Sequence, residues 1–281
     1  MVLPAQSLPA VFSLTAMGIW GASDFSGGLG ARRANAFLFT AFVHLSGVIL
    51  MGCVLGLTHA AFPGRASLLW AIAAGSIGGI SLAMFYRALA SGKMGLTAPV
   101  AAVLGAGIPT IVTALAQGFP GYRHVAGFVL AGIGVWLISR TEGDAGHPEG
   151  LGMAVMAGIG FAGFYLCVNQ AGSASALWIA WSSRCASLVV TSVFVVLAKQ
   201  VRALPAPVLA IAVFTGCLDI TGSALFVRAA QSGRLDTAVV LSSLYPAVTV
   251  VLARVFLHEH FSRGRTVGML AALAAVPMIA G

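Results

Sequence analysis

What this sequence has least of is charge. Asp, Glu, Lys and Arg together make up 8% of its 281 residues, against roughly 25% in a soluble domain. So few ionisable side chains cannot cover a water-facing surface, which excludes an ordinary soluble fold. Alternation is missing as well. A barrel that crosses a membrane needs polar and apolar residues in turn over segments of ~10, and no stretch reads that way. The four cysteines, Cys53, Cys167, Cys185 and Cys217, sit inside apolar runs without CxxC spacing. They are expected to act as small buried hydrophobes rather than as disulfide partners or zinc ligands. There is no glycine-rich phosphate loop and no Ser/His/Asp grouping. His258-Glu259-His260 lacks the i, i+4 spacing of a zinc-binding HExxH helix. Neither a metal nor a cofactor is expected. Fifteen Lys and Arg against seven Asp and Glu give a net charge of +8. These basic residues are scattered singly between apolar runs, which points to loop charges that set orientation and not to nucleic acid.

What is there is apolar length. Ten runs cover residues 10–29, 36–57, 67–90, 96–115, 125–139, 151–170, 176–197, 208–230, 237–257 and 266–280. Most approach the roughly 20 residues that a helix needs to cross a bilayer. The first run lacks a basic flank and is long, so it reads as a transmembrane helix and not as a signal peptide. Turn and charge residues mark the breaks, and no segment between runs is long enough for a soluble domain. The expected fold is an all-α integral membrane protein with ten transmembrane helices.

A nine-residue phrase occurs twice. Residues 85–93 read FYRALASGK and residues 226–234 read FVRAAQSGR, an offset of 226 − 85 = 141. Gly75 then falls on Gly216 and Gly127 on Gly268. A long fixed period of this kind marks a duplicated unit. The expected organisation is a first five-helix repeat over 1–140, an acidic connecting loop over 141–150, and a second five-helix repeat over 151–281. A unit with five crossings ends on the side opposite its start, so the second copy must be inverted. Inverted repeats recur in transporters, with the substrate site near the midplane between the halves.

Loops after odd-numbered runs carry most of the basic residues, which would place both termini outside. Gly52xxxGly56 and Gly75xxxGly79 are small-xxx-small pairs expected to serve helix packing.

In Trp20-Gly21, in Arg87-Ala88-Leu89 and Arg228-Ala229-Ala230, and in the segment from Leu244-Tyr245-Pro246 to Glu259 with Gly268 beyond, the chain resembles the EamA-type transporters of the drug/metabolite transporter superfamily. The first repeat has Pro109, Gln117-Gly118 and Gly127 in the matching places and lacks the Glu. The resemblance covers almost the whole chain. It implies export of amino acids or similar small metabolites, a multi-pass location in the bacterial inner membrane, and cytoplasmic termini, against the charge count. The partners expected are a small-molecule substrate and the lipid bilayer.

Five of the seven acidic residues fall between runs; Asp24 and Asp219 do not. Asp219 lies near the centre of run eight, where an ionised carboxylate costs about 2.5–3.5 kcal/mol even on a lenient scale. It reads as a cavity-facing substrate or proton site, or as a structural partner. Asp24 reads as a binding group, or as a side chain that reaches interfacial water. Arg184, near the middle of run seven, needs a counter-ion, and Asp219 is the first candidate. A shift of 140 sets Arg184 against His44. Both are expected to have structural or coupling roles, as are Pro109 and Pro246, each of which removes a backbone bond. Ser242, Ser243 and Tyr245 surround the second proline break. With Trp20, Tyr86, Tyr165 and Asn169, they complete the candidate substrate-binding set, and Phe161, Trp178 and Trp181 are further aromatics that could line a cavity. The alternatives to a secondary transporter are a channel and, less favoured, a membrane-embedded enzyme.

Overall fold

A computed structural model of the chain describes residues 8–91, 94–139, 150–257 and 263–280. Lys93, the acidic stretch 141–149 and His258-Glu259-His260 lie outside the described residues. Among those described, every regular element is a helix: α1 (Leu8–Ala31), α2 (Ala36–Leu57), α3 (Arg65–Ser91), α4 (Met94–Gln117), α5 (Tyr122–Ser139), α6 (Leu151–Gln170), α7 (Ala176–Leu197), α8 (Ala206–Ser232), α9 (Leu235–Ser242), α10 (Tyr245–Leu257) and α11 (Arg263–Ala280). Seven stretches are long and apolar enough to cross a membrane, with α9 and α10 counting together as one. The ends follow local chemistry. Asn35 caps α2, its Oδ1 accepting from the backbone N–H groups of Phe37 and Leu38.

The ninth apolar run departs from the expected single helix with a proline inside it. The chain breaks at Ser243–Leu244, before the proline, and divides into α9 and α10. A continuous helix would set the Pro246 ring against the carbonyl of Ser242. Breaking earlier puts Pro246 in the first turn of α10, where its missing N–H has no partner to lose. By contrast, α4 runs unbroken through Pro109. Asp236, expected between runs, lies in the first turn of α9 and is fully buried. It takes hydrogen bonds from Arg234 and from the backbone N–H of Thr237. The bonds to Asp236 push the Arg234 guanidinium pKa up. A carboxylate at a helix N-terminus also faces the positive end of the helix dipole.

The bundle is interleaved. α1 packs on α8, α3 on α6 and α2 on α7, while α11 leans almost wholly on α5 to one side. Glycine permits the closest approaches. A Cβ on Gly75 would overlap the Ser183 carbonyl of α7, and one on Gly216 would overlap the Val43 carbonyl of α2. A Cβ on Gly79 would lie 2.7 Å from the Cα of Ser187, so Gly75xxxGly79 is a packing seam. Gly52xxxGly56 is not, because Gly56 has nothing within 4 Å of its Cβ position. The cysteines also differ from expectation. Cys53 is exposed and the other three are half-buried. In lipid the outer face of a bundle is as apolar as its interior, so hydrophobicity alone does not place a residue inside.

Gly216→Ala should lower the melting temperature of the purified protein in detergent, by the equivalent of about 1–3 kcal/mol for overpacking. Gly132→Ala, with nothing near its Cβ position, should leave it unchanged or raise it. Equal melting of both variants would contradict the close α2–α8 approach.

Candidate functional site

Arg184 is the polar centre of the bundle. It projects from α7 and is 6% exposed. Its NH1 makes an ion pair with Asp219 Oδ2 of α8 at 2.5 Å and lies 2.9 Å from His44 Nδ1 of α2. Its NH2 donates to Ser223 Oγ at 2.9 Å. Arginine only donates, so Nδ1 of His44 accepts and its imidazole is neutral, with the proton on Nε2. The Ser223 hydroxyl in turn donates to the Asp219 carbonyl at 2.8 Å, and Trp20 Nε1 donates to the same carbonyl at 3.3 Å. One buried cation thus ties α2, α7 and α8 together, and Trp20 adds α1.

Beside this cluster lies a cavity with about 60 Å³ open to the centre of a water molecule. That is room for a few waters, each needing roughly 10–15 Å³ on this measure. Its walls come from α1, α3, α6, α7, α8 and α10. Arg184, Asp219 and Ser223 face it together with Asp24 of α1 and Tyr245 of α10. Ser183 and Ser187 of α7 complete the polar side. Leu82 of α3 and Phe161, Phe164 and Tyr165 of α6 make the apolar side. Trp20 and Tyr165, both in its wall, stand 6.2 Å apart, centroid to centroid. Asp24 is 7% exposed, and no hydrogen bond to its carboxyl is present among the described residues. The Tyr245 hydroxyl is likewise buried without a partner.

Of the residues singled out in the sequence, Trp20, Asp24, Tyr165, Asp219, Tyr245 and Arg184 come together at this cavity, and His44 stands behind it. The others do not line it. Tyr86 is fully buried next to it, 3.4 Å from Ser23 Oγ and beneath Gly27. Asn169 is half-buried near the end of α6. Ser242 donates to the Ser13 carbonyl of α1, and Ser243 donates to its own helix at Val240. Ser243 faces a second, largely apolar cavity between α4, α5 and α9. Trp178 and Trp181 turn away, donating to the carbonyls of Ala60 and Val48. Sequence reasoning missed Ser223 as a partner of Arg184, although it follows Asp219 by four residues and so shares its helix face. It also missed Ser183 and Ser187, which flank Arg184 on α7.

Comparison with known proteins agrees with this architecture. The model of the EamA-like transporter family matches residues 148–281. A protein of known crystal structure shares the fold with a TM-score of 0.72 at 18% identity, over 96% of this chain and 95% of that one. No curated protein matches the chain.

Removing one partner of a buried ion pair typically costs about 3–5 kcal/mol. Asp219→Ala should therefore lower the melting temperature sharply. Joint replacement, Arg184→Met with Asp219→Leu, should recover much of the loss. If the double variant melts no higher than Asp219→Ala, the pair is not what makes the single change costly.

Proposed function

We propose that this chain, a multi-pass membrane transporter of the drug/metabolite transporter superfamily with an EamA-like domain over residues 148–281, moves amino acids or similar small metabolites out of the cell by alternating access at the central cavity. The observation that carries this reading is the cavity itself. Ionisable groups within a membrane are costly and mark substrate or ion pathways. Here Asp24, Asp219 and Arg184 meet where elements from both halves of the chain converge. A bacterial inner membrane is the proposed location.

Two inverted five-helix repeats, 1–140 and 151–281 joined by 141–150, are the proposed frame, with α9 and α10 together filling one helix position to give ten. The support is a set of contacts that recur under one shift. The Gly75–Ser183 approach has a counterpart in Gly216–Val43, since 216 − 75 = 141 and 183 − 43 = 140. Gly79–Ser187 likewise matches Ile220–Gly47, where 220 − 79 = 141 and 187 − 47 = 140. Ser81–Gly160 matches Gly222–Trp20, where 222 − 81 = 141 and 160 − 20 = 140. Arg184 and His44, related by 184 − 44 = 140, touch each other. A pair of equivalent residues in mutual contact is what a two-fold axis running beside the cavity would require.

A carrier and a channel part company in one assay. Proteoliposomes loaded with unlabelled amino acids should transiently concentrate labelled amino acid from outside, and Leu82→Trp, which fills the cavity, should abolish this while the protein stays folded. Equilibration without transient accumulation would favour the channel. Unchanged counterflow in Leu82→Trp would remove the cavity from the path.

A further inference from the structure

We infer that the substrate held in this cavity carries one cationic amine, bound at Asp24, on an apolar body lying against Leu82, Phe161 and Phe164. This rests on the transport reading and names its substrate class.

Charge is the first argument. The cavity holds two carboxyls, Asp24 and Asp219, against one guanidinium, Arg184. His44 accepts from Arg184 and adds no charge. Arg184 has already committed NH1 to Asp219 and His44 and NH2 to Ser223, leaving only Nε without a partner. A substrate carboxylate entering here would meet a guanidinium already paired with Asp219, with only Nε–H and one N–H of NH2 left to donate, and two carboxyls beside it. An ammonium would find Asp24, more than nine-tenths buried and without a hydrogen bond among the described residues. An ammonium has three donors. The Tyr245 hydroxyl, buried and unpartnered in the same wall, offers a second acceptor.

The aromatic walls favour the same sign. Trp20, Tyr165 and Tyr245 line the cavity together with Asp24. The face of an aromatic ring attracts a cation, most strongly when water is excluded. A carboxylate in a cavity lined by aromatic side chains favours an organic cation.

The third argument is the difference between the two sides of the cavity. Under the shift that relates the recurring contacts, Asp24 corresponds to Phe164 (164 − 24 = 140), Asp219 to Gly78 (219 − 78 = 141) and Ser223 to Leu82 (223 − 82 = 141), and all six line the cavity. Where α1 meets α8, the three positions are Asp, Asp and Ser. Where α6 meets α3, they are Phe, Gly and Leu. The cavity is therefore polar and anionic on one side and apolar on the other, where Phe164 packs against Gly78. A molecule with a charged end and an apolar end matches both sides at once.

Three ligands with one carbon chain separate the possibilities. Pentylamine is norleucine without its carboxylate, and hexanoate is norleucine without its amine. Binding of each to the purified full-length protein in detergent is measured by titration calorimetry. Pentylamine should bind about tenfold or more tightly than either of the others, the scale of one hydrogen bond to a charged group. Asp24→Asn should erase that preference. Should Asp24→Asn yield no folded protein, Tyr245→Phe replaces it and should weaken pentylamine severalfold while leaving hexanoate unchanged. Equal or tighter binding of norleucine or hexanoate overturns the inference, as does failure of all three to bind or a preference for pentylamine that survives in the variant. The transport reading is tested separately by counterflow run with labelled pentylamine as well as labelled amino acid, so a carrier that takes amines alone still shows transient accumulation.

Discussion

A guanidinium in the middle of a membrane bundle must be answered from within the protein. Arg184 cannot be deprotonated, and lipid tails offer no counter-charge. Its answers come from α2 and α8: Asp219, His44 and Ser223. These bonds require α2, α7 and α8 to converge within side-chain reach. The glycine approaches that bring α3 onto α7 and α8 onto α2 serve that convergence. Trp20 bonds the Asp219 carbonyl and draws in α1. What remains open beside the cluster is the cavity.

The same constraint divides the cavity's roles. Asp219 is occupied in holding Arg184, so its negative charge is spent inside the structure. Asp24 is not occupied, and aromatic rings and the unpartnered Tyr245 hydroxyl line the same cavity. The cavity thus holds one structural carboxyl and one available carboxyl. The proposed duplicated frame would make such a division accessible, because a substitution in one half leaves its counterpart to keep packing. Phe164 and Gly78 keep the packing role at the places that match Asp24 and Asp219.

Legibility followed cost. An ionisable group in lipid is expensive enough that few occur, and each must have a reason, so Asp24, Asp219, Arg184 and His44 were visible in the sequence and meet at one place. Small hydroxyls were not. Ser242 and Ser243 satisfy themselves on backbone carbonyls, as serines in helices often do, and the sequence around them does not tell a cavity wall from a packed face. Tyr86 has the composition of a lining residue yet packs behind the cavity, under Gly27. Helix existence was legible from apolar length. The break in the ninth run was displaced from the proline because the chain can stop the helix before the ring clashes. The cysteines were misplaced because hydrophobicity, which separates inside from outside in water, does not do so in lipid. The apolar side of the cavity carries no polar flag, and only the folded arrangement brings Leu82, Phe161 and Phe164 opposite Asp24.

The central claim is that this cavity lies on a path open in turn to each side of the membrane. Leu82→Cys, in a background with Cys53, Cys167, Cys185 and Cys217 replaced by serine, puts one thiol in its wall. Its reaction with a membrane-impermeant maleimide is followed in vesicles of both orientations. The account predicts labelling from each side, with a transported solute raising the rate on one side as it lowers it on the other. A thiol that reacts from one side alone, whatever solute is present, would contradict it.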